Sequence, residues 1–482
     1  MERFCIVLLM LFAGSPAFAQ NYDVVIRGGR VIDPETGLDA IRNVAIQGHT
    51  IAAVSDAEMQ GKTVIDATGL VVAPGFIDLH QHGQEPAQYR LKVFDGVTTA
   101  LEMEIGAKDI ETFLQQRAGR AVINYGATAN YDYARALALG VSPPLDSLLI
   151  PSGPATNDPT TPAEVRQMQD RLQHEIDAGA LGIGMGIQYA PGASRDEVLE
   201  IFRVAARNHA PVFTHIRSSG HLDPGSIEAV SEVIADAAVT GAPLHIVHIN
   251  SSCMKDASEC LAMVAGARAR GLDVTTEAYP YTAGLTYINS AVFNPGWQRE
   301  LGISYGDLAI PATGQRLTKE LFDRMHADPK PQFILVYQND QQTVDNIIRN
   351  PLVMIASDGA PGHPRQAGTY CRILARYVRE QGTLTLMDAI RKMTLMPAER
   401  LASATPLGLR KGRIQVGADA DIVVFDLATV ADQSTYPQPN KVSTGMKYVL
   451  VQGVPVIANG ELRPNVFPGQ PITRMKPPAQ VQ

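Results

Sequence analysis

Two rhythms of apolar and polar positions divide the chain. From Tyr22 to about Leu70, short Val- and Ile-rich segments alternate with Gly, Asp and Asn turns, as in Asp23-Val-Val-Ile-Arg-Gly-Gly-Arg-Val-Ile-Asp33. Period-two patterning bounded by turn residues predicts a run of antiparallel strands. From Gly75 to about Ala404, short apolar runs are each followed by an amphipathic stretch, such as Glu197 to His209 and Ser226 to Gly241. Strand followed by helix, repeated over about 330 residues, predicts an α/β fold: a (β/α)8 TIM-like barrel, which takes ~250 residues plus insertions. After Pro406 the strand pattern returns in Ala418 to Asp426 and in Lys447 to Ile457. The expected layout is therefore a small β-sandwich domain formed by both chain ends, residues 20–74 and 406–470, beside a barrel over 75–405. The Pro-rich stretch after Phe467, and 471–482 in particular, is expected to be a flexible tail. No internal repeat and no low-complexity segment interrupts this order.

Composition narrows the partners. The 482 residues are 45% hydrophobic and 19% charged, globular values that suit a large barrel with a satellite domain. A net charge of −8 argues against a nucleic-acid partner, which requires a clustered basic surface. A small-molecule substrate fits better, and the chain leaves room for a homo-oligomer. The opening Met1-Glu-Arg-Phe-Cys-Ile-Val-Leu-Leu-Met-Leu-Phe-Ala-Gly-Ser-Pro-Ala-Phe-Ala19 has a basic residue, a short apolar core and an Ala-Phe-Ala ending. It reads as a signal peptide over 1–19, with the mature chain starting at Gln20, periplasmic or secreted, and without a membrane attachment once cleaved. No lipobox-like small residues precede Cys5. Of the remaining Cys253, Cys260 and Cys371, an odd number, at least one must stay free or pair between chains, and all three are expected to be buried and structural.

Barrel chemistry gathers at the carboxyl ends of the strands, so strand ends are where candidate ligands belong. In Val72-Ala-Pro-Gly-Phe-Ile-Asp-Leu-His-Gln-His-Gly83 an apolar run ends in His80 and His82, two residues apart and able to face one point. Alone, such a pair is as well explained as polar residues closing a core strand. Further strand ends supply partners. Gly96-Val-Thr-Thr-Ala-Leu-Glu-Met-Glu-Ile-Gly106 carries Glu102 and Glu104 in a buried run, where an acid requires a cation. Glu104 lies nearer the strand's end and is the preferred ligand, with Glu102 the alternative. Pro211-Val-Phe-Thr-His215 and Pro243-Leu-His-Ile-Val-His248 each end in His, with His245 expected to sit deeper and on the other face. Leu352-Val-Met-Ile-Ala-Ser-Asp-Gly359 ends in Asp358, placed to ligate a metal and to take a proton from its bound water. Four His, one Glu and one Asp suit zinc best.

With those residues in place, the chain resembles the amidohydrolase superfamily, and within it the D-aminoacylase or N-acyl-D-amino-acid deacylase family. The likeness spans nearly the whole mature chain: Pro74-Gly-Phe-Ile-Asp78, Gly96-Val-Thr-Thr99, Gly179-Ala-Leu-Gly182, Thr214-His-Ile-Arg217 and Tyr279-Pro-Tyr-Thr-Ala-Gly284 carry it. It continues through Ser357-Asp-Gly359, His363-Pro-Arg365, Arg391-Lys-Met-Thr-Leu-Met-Pro397 and Gly417-Ala-Asp-Ala-Asp-Ile-Val423. Two positions depart from the family. Where it commonly bridges its metal site with a Cys, this chain offers Glu102 and Glu104, and no Lys open to carbamylation stands in Gly179 to Gly186. A Glu bridge, holding one or two zinc ions, is the expectation. Where typical family members place a Lys two residues beyond the His that stands here at His248, this chain has Asn250. The Leu101-Glu-Met-Glu104 run and Asn250 resemble the D-glutamate deacylase branch most.

The resemblance implies a zinc-dependent hydrolase that releases a D-amino acid from an N-acyl-D-amino acid, N-acyl-D-glutamate being one candidate, with Asp358 as general base and then acid. It implies that Arg365 clamps the substrate carboxylate and that Tyr189, one of Tyr281 or Tyr279, and Asn250 contact substrate. The alternatives are a cyclic-amide hydrolase or deaminase on the same scaffold, or a metal-binding scaffold protein without catalysis. Intact-mass measurement of the exported protein should find a chain starting at Gln20; one starting at Met1 would remove the cleavage site.

Overall fold

The computed structural model describes residues 21–145 and 147–474. The expected signal peptide over 1–19, with Cys5, lies outside the described residues, as does the end of the expected tail. Eight parallel strands form the centre: β1 (Phe76–Asp78), β2 (Val97–Ala107), β3 (Asn124–Asn130), β4 (Ile183–Gly186), β5 (Val212–His215), β6 (Leu244–Ile246), β7 (Val274–Ala278) and β8 (Val353–Ile355). They stand in chain order, and a parallel bridge between Gln81 and Gly359 joins the segment after β1 to the segment after β8. The strands are short and nearly continuous in buried residues, as a sheet covered on both faces requires.

Helices cover the outside where the 3.6-residue pattern places them. The segment expected over Glu197 to His209 is a helix at Arg195–Arg207, capped by the Ser194 hydroxyl, which accepts from the Glu197 amide. Its Val198, Ile201, Phe202 and Ala205 are buried against the sheet. The next, Ser226–Thr240, stops at Gly241, whose φ of 79° suits a residue without a side chain.

A nine-stranded sheet unites the two chain ends: Ile422–Phe425 pairs antiparallel with Val71–Pro74, so a C-terminal strand continues an N-terminal sheet. The sheet curls back on itself, with the Ile51 amide donating to the Ala418 carbonyl, around a core that includes Ile26, Val44, Ile65, Ile422 and Leu450. The N-terminal strands are not all antiparallel. Asn21–Asp33 pairs parallel with Gln60–Asp66 along its first half and with Val71 and Val72 after Gly28 and Gly29. Gly28 has φ 70°, and a side chain on Gly29 would collide with Val72. Both glycines are therefore needed where one long strand changes neighbours.

Between β7 and β8 the barrel carries an insertion with its own three-stranded antiparallel sheet, Ala283–Tyr287, Leu308–Ala309 and Phe333–Tyr337. Its core includes Phe293, Trp297, Leu308 and Phe322. The tail expected to be flexible is docked over its described part. The Tyr125 amide donates to the Gln470 carbonyl, Ile472 donates to Tyr125, and Arg474 donates to Gly179. Ile472 is buried with Leu101 and Leu181 at the barrel floor. An apolar residue flanked by Pro and Thr leaves too short a pattern to read as an element. Cys253 and Cys260 form a disulfide, and Cys371 is free and buried.

Barrel closure depends on Asp78. Its carboxylate lies 2.8 Å from Lys92 Nζ, both fully buried, and accepts from the Ser357 amide at 2.9 Å and the Ser357 hydroxyl at 2.6 Å. One side chain thus joins the first strand to the loop after the last. Asp78→Asn leaves the Lys92 charge buried without its counter-ion and should cost about 3–5 kcal/mol. Urea unfolding measures it; a loss below about 1 kcal/mol would show that the barrel closes without this pair.

Candidate metal centre and active site

The carboxyl ends of five strands converge on Glu104. It stands on β2 where the pairing with β3 shifts register between Glu102 and Ala107. Its Oε2 lies 3.0 Å from His80 Nε2 and 3.1 Å from His82 Nε2, while Oε1 lies 3.0 Å from His215 Nδ1 and 2.8 Å from His248 Nε2. Asp358 Oδ1 completes the first group, 3.2 Å from His82 Nε2 and 3.5 Å from His80 Nε2. One carboxylate thus serves two sets of donors, His80, His82 and Asp358 on one side and His215 and His248 on the other.

This set fits a divalent ion. Ligands about 2.0–2.1 Å from a tetrahedral ion stand about 3.4 Å apart, close to the separations here. His80 and His82 point Nε2 at each other across 3.2 Å, which suits two lone pairs aimed at a shared cation. The electrostatics agree. Burial works against a charged His80, but Glu104, Asp358 and Glu277 outweigh it and push the imidazole up to about 10. Burial likewise works to raise Glu104, yet His80 and His248 hold it well below the usual carboxylate range. The pocket stabilises positive charge strongly.

Each imidazole is fixed by a partner on its remaining nitrogen. His80 Nδ1 meets Glu277 Oε1 at 2.5 Å, His82 Nδ1 meets Glu102 Oε2 at 2.8 Å, His215 Nε2 meets Gln188 Oε1 at 2.6 Å, and His248 Nδ1 meets Ser252 Oγ at 3.1 Å. Glu102 also accepts from the Ile105 amide at 3.2 Å. It is therefore a support for His82, and the alternative of Glu102 as ligand gives way to Glu104. Glu277, Gln188 and Ser252 escaped the sequence reading. Glu277 carried a weak signal, a carboxylate inside the β-branched run Val274-Thr-Thr-Glu-Ala278, and the others carried none. His245 lies deeper, as expected, but inside the barrel: its Nε2 is 3.2 Å from Glu277 Oε2. Strand β6 ends at Ile246, and the left-handed backbone of His248 (φ 29°) turns that imidazole to the centre. Asp358 has φ 49°. Strained residues of this kind are held where the surrounding structure needs a side chain aimed.

The expected substrate contacts divide. Arg365 begins the helix Arg365–Arg372 and reaches Asp358 Oδ1 with Nη2 at 2.8 Å, over the Tyr279 ring at 4.5 Å. It is 1% exposed, and its Nε and Nη1 have no hydrogen-bond partner among the described residues. Buried donors left open beside Asp358 suit a bound anion. Tyr189 lines the cavity with its ring 4.9 Å from that of His215, and burial raises its hydroxyl well above the usual tyrosine value. Asn250 does not reach the cavity. Its side chain pairs with the backbone amide and carbonyl of Tyr279, each at 3.4 Å, because the chain turns just after β7. Tyr281 points away, under Arg372 at 4.9 Å and beside His363. Tyr279 lies beneath Arg365 and acts on the site through it.

Comparisons with known proteins identify the family and the fold. Residues 134–457 match the profile described as "Amidohydrolase family". The chain is 32% identical to the N-acyl-D-glutamate deacylase of Alcaligenes xylosoxydans xylosoxydans, over 94% of this chain and 97% of that protein. It is 29% identical to the D-aminoacylase of the same organism, over 92% and 96%. Among solved structures, the N-acyl-D-glutamate deacylase of Bordetella bronchiseptica, complexed with zinc and a phosphonate inhibitor, superposes with a TM-score of 0.80 at 27% identity, covering 94% of this chain and all of that one. An L-hydantoinase from Arthrobacter aurescens, at 17% identity and a TM-score of 0.64, shares the fold.

Ligand and support should separate on substitution. Glu104→Gln should lose most of the bound divalent metal, and Glu102→Gln should retain it with affinity weakened about 10–100-fold. Elemental analysis after gel filtration, with metal titration, reads both; equal losses would refute the distinction drawn between them.

Proposed function

This chain belongs to the amidohydrolase family, and from that premise we propose that it is a zinc-dependent deacylase of N-acyl-D-amino acids acting outside the cytoplasm. The observation that carries the reading is the conjunction of Glu104, shared by two sets of imidazoles, with Arg365, whose Nε and Nη1 stay open beside Asp358. A nitrogen and oxygen donor set favours zinc, and the two sets sharing Glu104 accommodate two ions. The substrate class follows the names of the relatives, an N-acyl-D-glutamate deacylase and a D-aminoacylase. Export is supported by the sequence before Gln20, and a disulfide between Cys253 and Cys260 is compatible with an oxidising compartment.

Zinc held by His80, His82, Glu104, His215, His248 and Asp358 would supply an activated water, its pKa lowered from about 15.7 to about 7. Asp358, at the rim of the His80 and His82 set, is placed to accept the proton of a water attacking the amide carbon. The same carboxyl group then delivers the proton to the nitrogen as the carbon–nitrogen bond breaks, so the amine leaves neutral. Arg365 holds the substrate carboxylate through its open donors, fixing the scissile bond relative to Asp358. Tyr279 beneath the guanidinium keeps it in place. Tyr189, which stays protonated, offers a hydroxyl to the carbonyl oxygen as charge develops there. A cyclic-amide reading gains no support from the barrel: β4 is Ile-Gly-Met-Gly, without a Lys, and Glu104 occupies the bridging place.

Zinc-loaded protein should release acid and amine from N-acetyl-D-amino acids in preference to the L forms, and from neither hydantoins nor adenine. Asp358→Asn should lower turnover by about 10²–10⁴ while retaining metal. Unchanged turnover in that variant would remove Asp358 from the chemistry, and turnover of ring substrates alone would overturn the reaction assigned.

A further inference from the structure

Beneath the metal ligands the barrel interior holds polar side chains that the reaction does not touch. Glu277 and Thr275 of β7, His245 of β6 and Arg400, on the helix Leu395–Ala402, form one hydrogen-bonded series. It runs from His80 to the amino ends of the strands, where Thr275 and Arg400 line a cavity on the barrel floor. His245, Glu277 and Arg400 are all buried.

The donors give this series a single direction. A guanidinium can only donate, so Arg400 Nη1 donates to the Thr275 hydroxyl at 3.3 Å. The Asp273 carboxylate holds Nη1 and Nη2 of the same fork at 3.0 and 2.8 Å. Burial keeps His245 below the usual histidine value against the pull of Glu277, so its ring is neutral and carries one N–H. The Thr275 hydroxyl therefore donates to His245 Nδ1 at 2.7 Å, and His245 Nε2 donates to Glu277 Oε2 at 3.2 Å. Glu277 Oε1 is left to accept from His80 Nδ1 at 2.5 Å, which turns the Nε2 lone pair of His80 toward the metal.

The two carboxylates behind the imidazoles differ in how they are held. Glu102 accepts from the Ile105 and Gly106 amides of its own segment, at 3.2 and 3.4 Å. Glu277 has no such anchor: among the described residues it meets only His80 and His245. Its orientation is set by His245, whose own ring is set by Thr275 and Arg400.

We infer that His245 and Arg400 are positioning residues of the metal centre, which fix the Glu277 carboxylate from the opposite end of the barrel so that His80 presents Nε2 to the ion. The inference rests on the metal-dependent part of the deacylase reading and not on its substrate. Nitrogen-15 spectra of histidine-labelled protein should show His245 neutral, with Nε2 protonated and Nδ1 bare; an imidazolium, or a proton on Nδ1, overturns the series.

His245→Phe keeps a ring against Phe213 and removes the donor to Glu277; it should weaken zinc affinity at least about tenfold, read by competition with a chelator. The visible spectrum of the cobalt-loaded variant should shift as well, since the geometry at His80 relaxes. Thr275→Val has the shape of threonine and leaves Arg400 on Asp273, so it cuts the series without stranding a charge. It should weaken zinc affinity, and Thr275→Ser should restore it. Unchanged affinity and spectrum in His245→Phe, or a serine variant no better than the valine one, overturns the proposal. If no N-acyl-D-amino acid is hydrolysed, the deacylase reading falls while the affinities and the cobalt spectrum still decide the role of His245 and Arg400.

Discussion

The site depends on one carboxylate with two faces. Each oxygen of Glu104 serves a different set of donors, so the side chain must stand at the barrel axis with its backbone displaced from regular pairing. The surroundings of β2 meet that demand. The Thr128 hydroxyl of β3 donates to the Met103 carbonyl at 2.9 Å, and Gly106, with φ 79°, absorbs the change of direction. On the next strand, a Cβ at Gly184 would collide with the carbonyl of Glu104. The glycine-rich β4, Ile-Gly-Met-Gly, is thus the counterpart of the Glu104 bulge. The space that a longer side chain at Gly184 would enter is already filled by the β2 backbone at Met103 and Glu104.

The supports around the imidazoles divide in the same way as the ligands. His80 and His82 are backed by carboxylates, Glu277 and Glu102, and His215 and His248 by the uncharged Gln188 and Ser252. A carboxylate on the far nitrogen makes an imidazole more basic and fixes its tautomer, whereas an amide or hydroxyl does mainly the second. Glu277 has a further load, since it also meets His245. Its carboxyl is held at about 2: burial opposes this, and His80 and His245 overcome it. A layer of charge beneath the site therefore keeps the barrel interior polar just below the metal ligands.

What could be read from the residues alone follows from how local each cause is. His80, His82, His215, His248 and Asp358 each end an apolar strand, so pattern and position identify them together. Glu102 and Glu104 have the same parity on one strand, and only the register shift toward β3 decides between them. Asn250 and Tyr281 lie close in sequence to site residues but turn away, because Asn250 stands in the short helix Ile249–Cys253 after β6 and Tyr281 in the irregular segment after β7, whose directions no periodicity encodes. The insertion between β7 and β8 was hidden for a different reason: its strands and short helices share the composition of the barrel, and its sheet is defined by pairing across about 50 residues. The docked tail shows the same limit, with Ile472 held by one apolar contact layer and by backbone bonds that leave no mark on composition.

The insertion between β7 and β8 reaches the candidate metal centre. A metal centre and the Asp358–Arg365 pair act more strongly where water is excluded, because screening falls as the local dielectric falls. Leu148, Leu149, Leu285, Val292 and Phe333 line the cavity at the candidate ligands His82, Glu104, His215, His248 and Asp358. Polar walls would recognise a charged substrate group but would admit water to the carboxylates at the centre. Apolar walls keep the centre dry and restrict the substrate. In this chain that surface is supplied by segments outside the barrel strands, whereas the residues meeting Glu104 stand at strand ends.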